Sequence, residues 1–284
     1  MRLSDAPGDQ IAVRCEDVVR IYSSATGDVH ALKGIDAVFP VGAVTAIVGP
    51  SGSGKSSLLR LLGGLDRPSA GRVEVAGVDL AGQRPRQLRA LRRRQVGFVF
   101  QRPSDNLVGY LTAAEHLQHA AAVRRCALDD PVALLDVVGL ARRADHRPVQ
   151  LSGGEQQRLA IAQAVVGEPR VVIADEPTAE LDSDTGKRVL DLFSDVASAG
   201  TAVILATHDA IAVNAADRTL FLRHGAVQAE RTRRAQALAV IDGAGRVQLP
   251  PEALALFGQR RARVRVTDDG VLLTPPDDHD EEPS

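Results

Sequence analysis

VTAIVGPSGSGKSS, residues 44–57, joins a strand-like run to a helix-like one through a glycine-rich loop. Val44 to Val48 is a nearly continuous series of β-branched and small apolar residues, the pattern of a strand buried on both faces. After Gly54, KSSLLRLLGG carries leucines at helical spacing and ends on two glycines, which predicts a helix with a glycine stop. Between them, Gly49, Pro50, Ser51, Gly52, Ser53, Gly54, Lys55 and Ser56 satisfy GxxxxGK[ST] in the strand–loop–helix context that gives the motif its meaning. The glycines let backbone N–H groups wrap phosphate oxygens, and the following helix presents its positive end to them. Lys55 adds a mobile cation for β- and γ-phosphates, and Ser56 Oγ is placed to ligate Mg²⁺. Ser57 belongs to the same nucleotide-binding set.

Further along, Val171 to Ala174 and Val203 to Ala206 are similar apolar runs, each preceded by a helical segment. Buried strands alternating with helices predict an α/β domain with a largely parallel core sheet. The first of these runs delivers Asp175 and Glu176 at its C-terminal end, where ligands bind in such sheets. Asp175 suits the Mg²⁺ shell, and Glu176 is positioned to orient or deprotonate an attacking water. Without the phosphate loop, the same pair would read as a helix N-cap. Leu151, Ser152, Gly153, Gly154 and Glu155 precede QQRLAIAQAVV, so a long amphipathic helix starts on a glycine-rich segment. That is either a second anion site or a simple cap.

Composition bounds the rest. The chain has 284 residues, 34 basic and 36 acidic, a balance that argues against nucleic-acid binding driven by net charge. Only Lys33, Lys55 and Lys187 are lysines; every other basic residue is arginine. Apolar residues make up 44 %, enough for a core, and with no Trp that core must use Ala, Val, Leu and Ile. No run approaches the roughly 18 apolar residues of a membrane helix, and the polar start MRLSDAPGDQ lacks the apolar segment of a secretory signal. Cys15 and Cys126 have no metal-ligand or redox spacing and suit a reducing compartment. From Ile11 to Ile35 short strands are expected, and residues 102–165 read as helical. QRPRQLRALRRRQ, residues 83–95, holds six arginines and reads as a solvated helix face, or as a docking surface for anionic lipid or a partner.

In this order and spacing, the motifs from about residue 11 to 230 resemble the ATP-binding cassette (ABC) ATPases. LSGGE at 151–155 is similar to the family signature LSGGQ, with Glu155 in the last place. The resemblance implies a P-loop NTPase fold: a RecA-like core, a helical subdomain at about 102–165 and an antiparallel β subdomain. It places Tyr22 where an aromatic ring stacks on adenine, and Gln101 of GFVFQ in the loop that contacts Mg²⁺ and senses a permease. Ala179, Glu180, Leu181 and Asp182 resemble the loop that communicates between paired ATPases, and His208 of ATHD the γ-phosphate histidine. Gln163 stands where many members have arginine, which puts a salt bridge in doubt.

The resemblance further implies that one phosphate loop and one signature in a chain cannot serve the same ATP. A pair is therefore expected, with a second copy or a paralogous ATPase, in which Ser152 and Gly154 of one chain close on the ATP held by Lys55 of the other. The implied partners are separate permease subunits, and the implied location is the cytoplasmic face of the membrane. GPSGSGKSSLLRLLGGLDRPSAG, GFVFQ and PTAELDS look most like the lipoprotein-releasing and macrolide-exporter group.

Beyond Glu230 the pattern returns to short strands around one helix, a ββαββ unit over residues 231–276 before an acidic tail at 277–284. The unit resembles AbrB-like swapped-hairpin domains, which implies a dimerisation device. The alternative is a soluble DNA-associated ATPase in which Arg246, Arg260, Arg261, Arg263 and Arg265 reach phosphates; the adjacent acidic tail opposes it.

Overall fold

The computed structural model describes residues 11–24, 27–179, 181–232, 238–239, 262–267 and 270–274. The glycine-rich stretch lies at the centre: β3 (Val44–Val48) is followed by the loop and by α1 (Lys55–Leu62). On one side β3 pairs in parallel with β8 (Ala202–Ala206), which pairs in parallel with β7 (Val171–Asp175), and that with β6 (Val96–Val99). On the other side β9 (Arg218–Arg223) is also parallel to β3. β10 (Ala226–Thr232) and then β11 (Leu238–Ala239) complete the seven-stranded sheet in antiparallel sense.

Strands β3, β6, β7 and β8 are covered on both faces, which is why they are apolar almost throughout instead of alternating. Val172, Ala174, Val203 and Leu205 join a cluster with Leu159 and Ile161 of α5 (Gly153–Val165) and with Val189 and Phe193 of α6 (Ser183–Ser198). Val171, Ile173, Ile204 and Ala206 join another, with the four leucines of α1 and with Val13, Leu32 and Ile35 of a second sheet. That sheet is antiparallel, in the order β2–β1–β4–β5, from β1 (Ile11–Ser24), β2 (Gly27–Pro40), β4 (Ala70–Val75) and β5 (Val78–Asp79). Aromatics are scarce, and among the described residues Phe39 and Phe193 are the fully buried phenyl rings, beside large side chains that are leucine and isoleucine.

The α/β reading and the parallel core are met. The short strands expected from Ile11 to Ile35 are instead parts of two 14-residue strands. Register shifts between Cys15 and Val18 and between Arg20 and Ile21, together with Asp17 at φ 46°, break the alternation on which strand length is judged. Among the described residues, 102–165 contain no strand; α3 (Ala113–Arg124), α4 (Pro131–Val137) and α5 dominate. The arginine-rich stretch forms α2 (Pro85–Gln95), which buries Leu88 and Leu91 and exposes Arg86, Arg89 and Arg94. Arg92 is not simply solvated: its Nη1 donates to the Gly64 carbonyl at 2.7 Å.

Leu238–Ala239, in the stretch read as the first strand of the C-terminal unit, pairs with β10 at the edge of the core sheet. β12 (Arg263–Thr267) and β13 (Gly270–Thr274) form an antiparallel hairpin. Arg246, Arg260, Arg261, the intervening helix of the expected ββαββ unit and the acidic tail lie outside the described residues. Cys15 is buried and its thiol is pushed up to about 12 by burial and by Asp36, while Cys126 is half-buried; both are free. Among the described residues, no helix is long and apolar enough to cross a membrane.

One close contact offers a test of the packing. A Cβ on Gly97 of β6 would collide with the Ala164 carbonyl of α5. Gly97→Ala should therefore cost about 1–3 kcal/mol, read as a lower midpoint in urea at an unchanged slope.

Candidate functional site

Gly49 begins the phosphate loop where there is no room for a side chain: a Cβ would meet the Leu222 carbonyl of β9. Gly52 and Gly54 hold φ of 75° and 106°, a left-handed region that other residues enter at a cost. The loop is pinned by Ser53, whose N–H donates to the Pro50 carbonyl at 3.1 Å and whose carbonyl accepts from Gly225 at 3.0 Å. Ser51 and Ser56 are exposed at this edge, Ser57 half-buried. Lys55 Nζ donates to the carbonyls of Gly49 at 2.8 Å and Pro50 at 3.3 Å, so the cation lies across the loop at the head of α1.

The neighbouring strands bring the acidic groups to the same edge. Asp175 ends β7, and burial, with repulsion from Glu176, holds its carboxyl above the usual carboxylate range. Hydrogen bonding with Ser56 and the charge of Lys55 pull the other way, which ties β7 to the phosphate loop. Glu176 follows at φ 48°, a conformation costing about 1–2 kcal/mol for a residue with a Cβ. Its N–H donates to the Ala206 carbonyl at 2.9 Å, and its carboxylate lies 3.0 Å from His208 Nδ1. The carboxylate is only 12 % exposed and the imidazole 73 %, so the histidine presents its other edge outward while bracing the glutamate. Gln101 is exposed and lines a small cleft with Glu176, Pro177, Leu181, Gly153 and Gln157.

The signature residues form a separate, internally satisfied unit. Ser152 caps α5, with Glu155 N–H donating to its Oγ at 3.3 Å, and Glu155 Oε2 accepts from Ser152 N–H at 2.8 Å. Glu155 also pairs with Arg143 at 3.0 Å. Hydrogen bonding to Ser152, then Arg143, holds its carboxyl below the usual range despite partial burial. Leu151 is buried, Gly153 has open space around it, and Gly154 lies against Thr185 and Leu181. Among the described residues, no hydrogen bond or ion pair joins 151–155 to the phosphate loop. In the next loop Ala179 is exposed, Leu181 half-buried, and Asp182 caps α6 by accepting from Asp184 and Thr185 N–H. Glu180 lies outside the described residues.

Tyr22 sits apart on β1. Its hydroxyl donates to Asp66 at 2.9 Å and the Arg20 guanidinium lies 4.3 Å from the ring centroid, so one ring face is covered. Sequence reasoning missed these two partners, and also the Thr178–Asp209 bond of 3.2 Å that steadies the segment after Glu176. Asp66 and Asp209 lie far from their partners in the chain, so no spacing signals those bonds.

Glu155 gives a pH-dependent test. Its lowered folded-state value means that the unfolded chain binds the proton more tightly, so the glutamate stabilises above its unfolded pKa. That stabilisation is lost as pH falls through the folded-state value. Glu155→Ala should cost about 1 kcal/mol at neutral pH, and the gap to the wild type in chemical denaturation should narrow on acidification.

Residues 32–179 match the family described as ABC transporter. The macrolide export ATP-binding/permease protein MacB of Rhodospirillum rubrum is 43 % identical over 215 residues, 74 % of this chain and 33 % of that protein. The chain therefore spans about a third of the length of that curated relative. The lipoprotein-releasing system ATP-binding protein LolD of Legionella pneumophila is 39 % identical over 226 residues, 78 % of this chain and 99 % of that one. Among solved structures, the dimeric ATP-binding cassette MJ0796, in a post-hydrolysis state bound to ADP and Pi, is 34 % identical with a TM-score of 0.73. That match covers 79 % of this chain and 100 % of the cassette. With the phosphate loop, signature and acidic strand end assembled on this sheet, the chain belongs to the ABC transporter family, as an ATP-binding cassette.

Proposed function

We propose that the chain binds ATP and hydrolyses it to ADP and phosphate, as the motor of a transporter whose separate permease subunits lie in the membrane. The observation that carries this reading is the meeting of Lys55, Asp175, Glu176 and His208 at one edge of a parallel sheet. Gly49 to Gly54 would wrap the phosphates, with Lys55 exchanging loop carbonyls for phosphate oxygens. The Ser56 hydroxyl donates to the Asp175 carboxylate, so two oxygen ligands lie side by side in a set that fits a hard cation, and Gln101 lies on the same side. These three would hold Mg²⁺, Asp175 through water; bound there, the ion supplies charge neutralisation to the phosphates. Glu176 takes the proton of the attacking water or orients it, His208 keeps that carboxylate aimed while reaching the γ-phosphate, and Tyr22 offers adenine the ring face away from Arg20.

The signature at 151–155, satisfied within its own helix, would serve the ATP of a partner chain, with Ala179 to Asp182 passing the state of one site to the other. Likeness to a dimeric cassette supports such a pair, made with a second copy or a paralogous ATPase. ATP then favours the closed pair, and loss of the γ-phosphate contacts releases it. Likeness to LolD and MacB supports a role in export or mechanotransmission at the cytoplasmic face of the membrane. Residues 1–230 form the cassette in this reading, with 102–165 as its helical subdomain, while 231–276 form a dimerisation domain of AbrB-like type. No specific observation favours the DNA-associated alternative.

Glu176→Gln should lose turnover by at least a hundredfold while retaining ATP binding, and should accumulate an ATP-bound dimer in sizing experiments; undiminished hydrolysis would remove Glu176 as the base. For the partner, affinity capture from detergent-solubilised membranes should recover an integral-membrane subunit. Recovery of none, with salt-sensitive binding to duplex DNA, would overturn the transporter reading.

A further inference from the structure

The first turns of α5 carry four consecutive polar side chains, Glu155, Gln156, Gln157 and Arg158. Three have defined partners. Glu155 closes the capping box and pairs with Arg143, Gln156 Nε2 donates to the carbonyls of Pro148 and Leu151, and Arg158 Nε donates to the Val138 carbonyl. Gln157 differs. It is 3 % exposed, and among the described residues its Nε2 has no hydrogen-bond partner. A buried amide nitrogen carries two donors, and leaving it unmatched is more costly than an apolar side chain of the same size would be. An acceptor that reaches Nε2 in another arrangement of the site would match it.

The cleft lined by Gln157 shows where that acceptor can come from. Gln101, Pro103, Glu176, Pro177 and Leu181 line it together with Gln157. Gln101 is exposed, and its side-chain carbonyl is the neutral, movable acceptor of the set. The remainder of its loop is anchored from behind, because Asn106 accepts from Phe100 N–H at 2.8 Å and donates to the Phe98 carbonyl at 2.7 Å.

We propose that Gln157 is a positioning residue whose Nε2 donates to the Gln101 side-chain carbonyl when the Gln101 loop closes over the cleft beside Glu176. The bond would join, within one chain, the helix that begins at the signature to the loop that helps hold the metal. Signature engagement on one nucleotide would then be felt at the Gln101 of the same chain, which belongs to the other nucleotide of the pair. The inference rests on the ATPase reading, and Gln157 acts only through Gln101.

The test is a double-mutant cycle in the full chain, with Gln157→Met (similar in volume, no donor), Gln101→Ala and both together. Steady-state ATP hydrolysis should fall about tenfold in kcat for Gln157→Met, with KM for ATP within twofold of wild type and a higher Mg²⁺ concentration needed for half-maximal rate. The double variant should be no slower than Gln101→Ala alone. In a Glu176→Gln background, Gln157→Met should also weaken the ATP-dependent dimer seen by sizing. Losses that multiply in the cycle, or an unchanged kcat and Mg²⁺ requirement with a raised melting temperature, would overturn the proposal and leave Gln157 a packing residue. A wild-type chain without ATP hydrolysis would instead overturn the underlying reading. Gln157→Leu, measured alongside, keeps the cycle informative if the methionine variant folds poorly.

Discussion

Two backbone hydrogen bonds just past the strand ends hold the site together. Thr207 N–H donates to the Ile47 carbonyl at 3.1 Å, and Glu176 N–H donates to the Ala206 carbonyl at 2.9 Å. They extend the parallel ladder of β3, β8 and β7 by one step beyond regular pairing, where Ile47 faces Ala206 and Ala206 faces Asp175. Parallel strands all point the same way, so their outgoing loops must share one edge. Here those loops carry Lys55, His208 and Glu176. The strained φ of Glu176 is tolerated because its amide is held by β8 and its carboxylate by His208.

Two levels of electrostatic organisation follow. Near the phosphate loop, one lysine faces a half-buried aspartate whose proton affinity is raised, an arrangement in which added positive charge is welcome. Lysine is rare in this chain, and Lys55 occupies the position where a flexible point charge is useful, whereas a planar guanidinium would be geometrically demanding. Elsewhere arginine serves as a structural clamp. Arg92 binds the Gly64 carbonyl, Arg124 the carbonyls of Val96 and Ala164, and Arg218 both Glu230 and the Val38 carbonyl. The signature, in contrast, resolves its charge locally through Ser152 and Arg143. The phosphate-loop lysine and the signature glutamate thus each find their partners locally.

Local chemistry in the sequence determined the parts: a loop whose glycines admit backbone to phosphates, core strands that are apolar because both faces are covered, and a helix start at Ser152. Those signals depend on a residue and its near neighbours, so spacing alone reveals them. Strand lengths before Ile35 were not legible, because bulges erase the two-residue period. Nor were the pairing of Glu176 with His208, 32 positions apart, the Arg20–Tyr22–Asp66 cluster, or the unmatched Nε2 of Gln157. Each depends on how segments far apart in the chain, such as Glu176 and His208 or β1 and Asp66, are brought together by packing of the sheet and its helices. Only the tertiary structure decided that, since side-chain contacts between distant segments leave no periodicity along the chain.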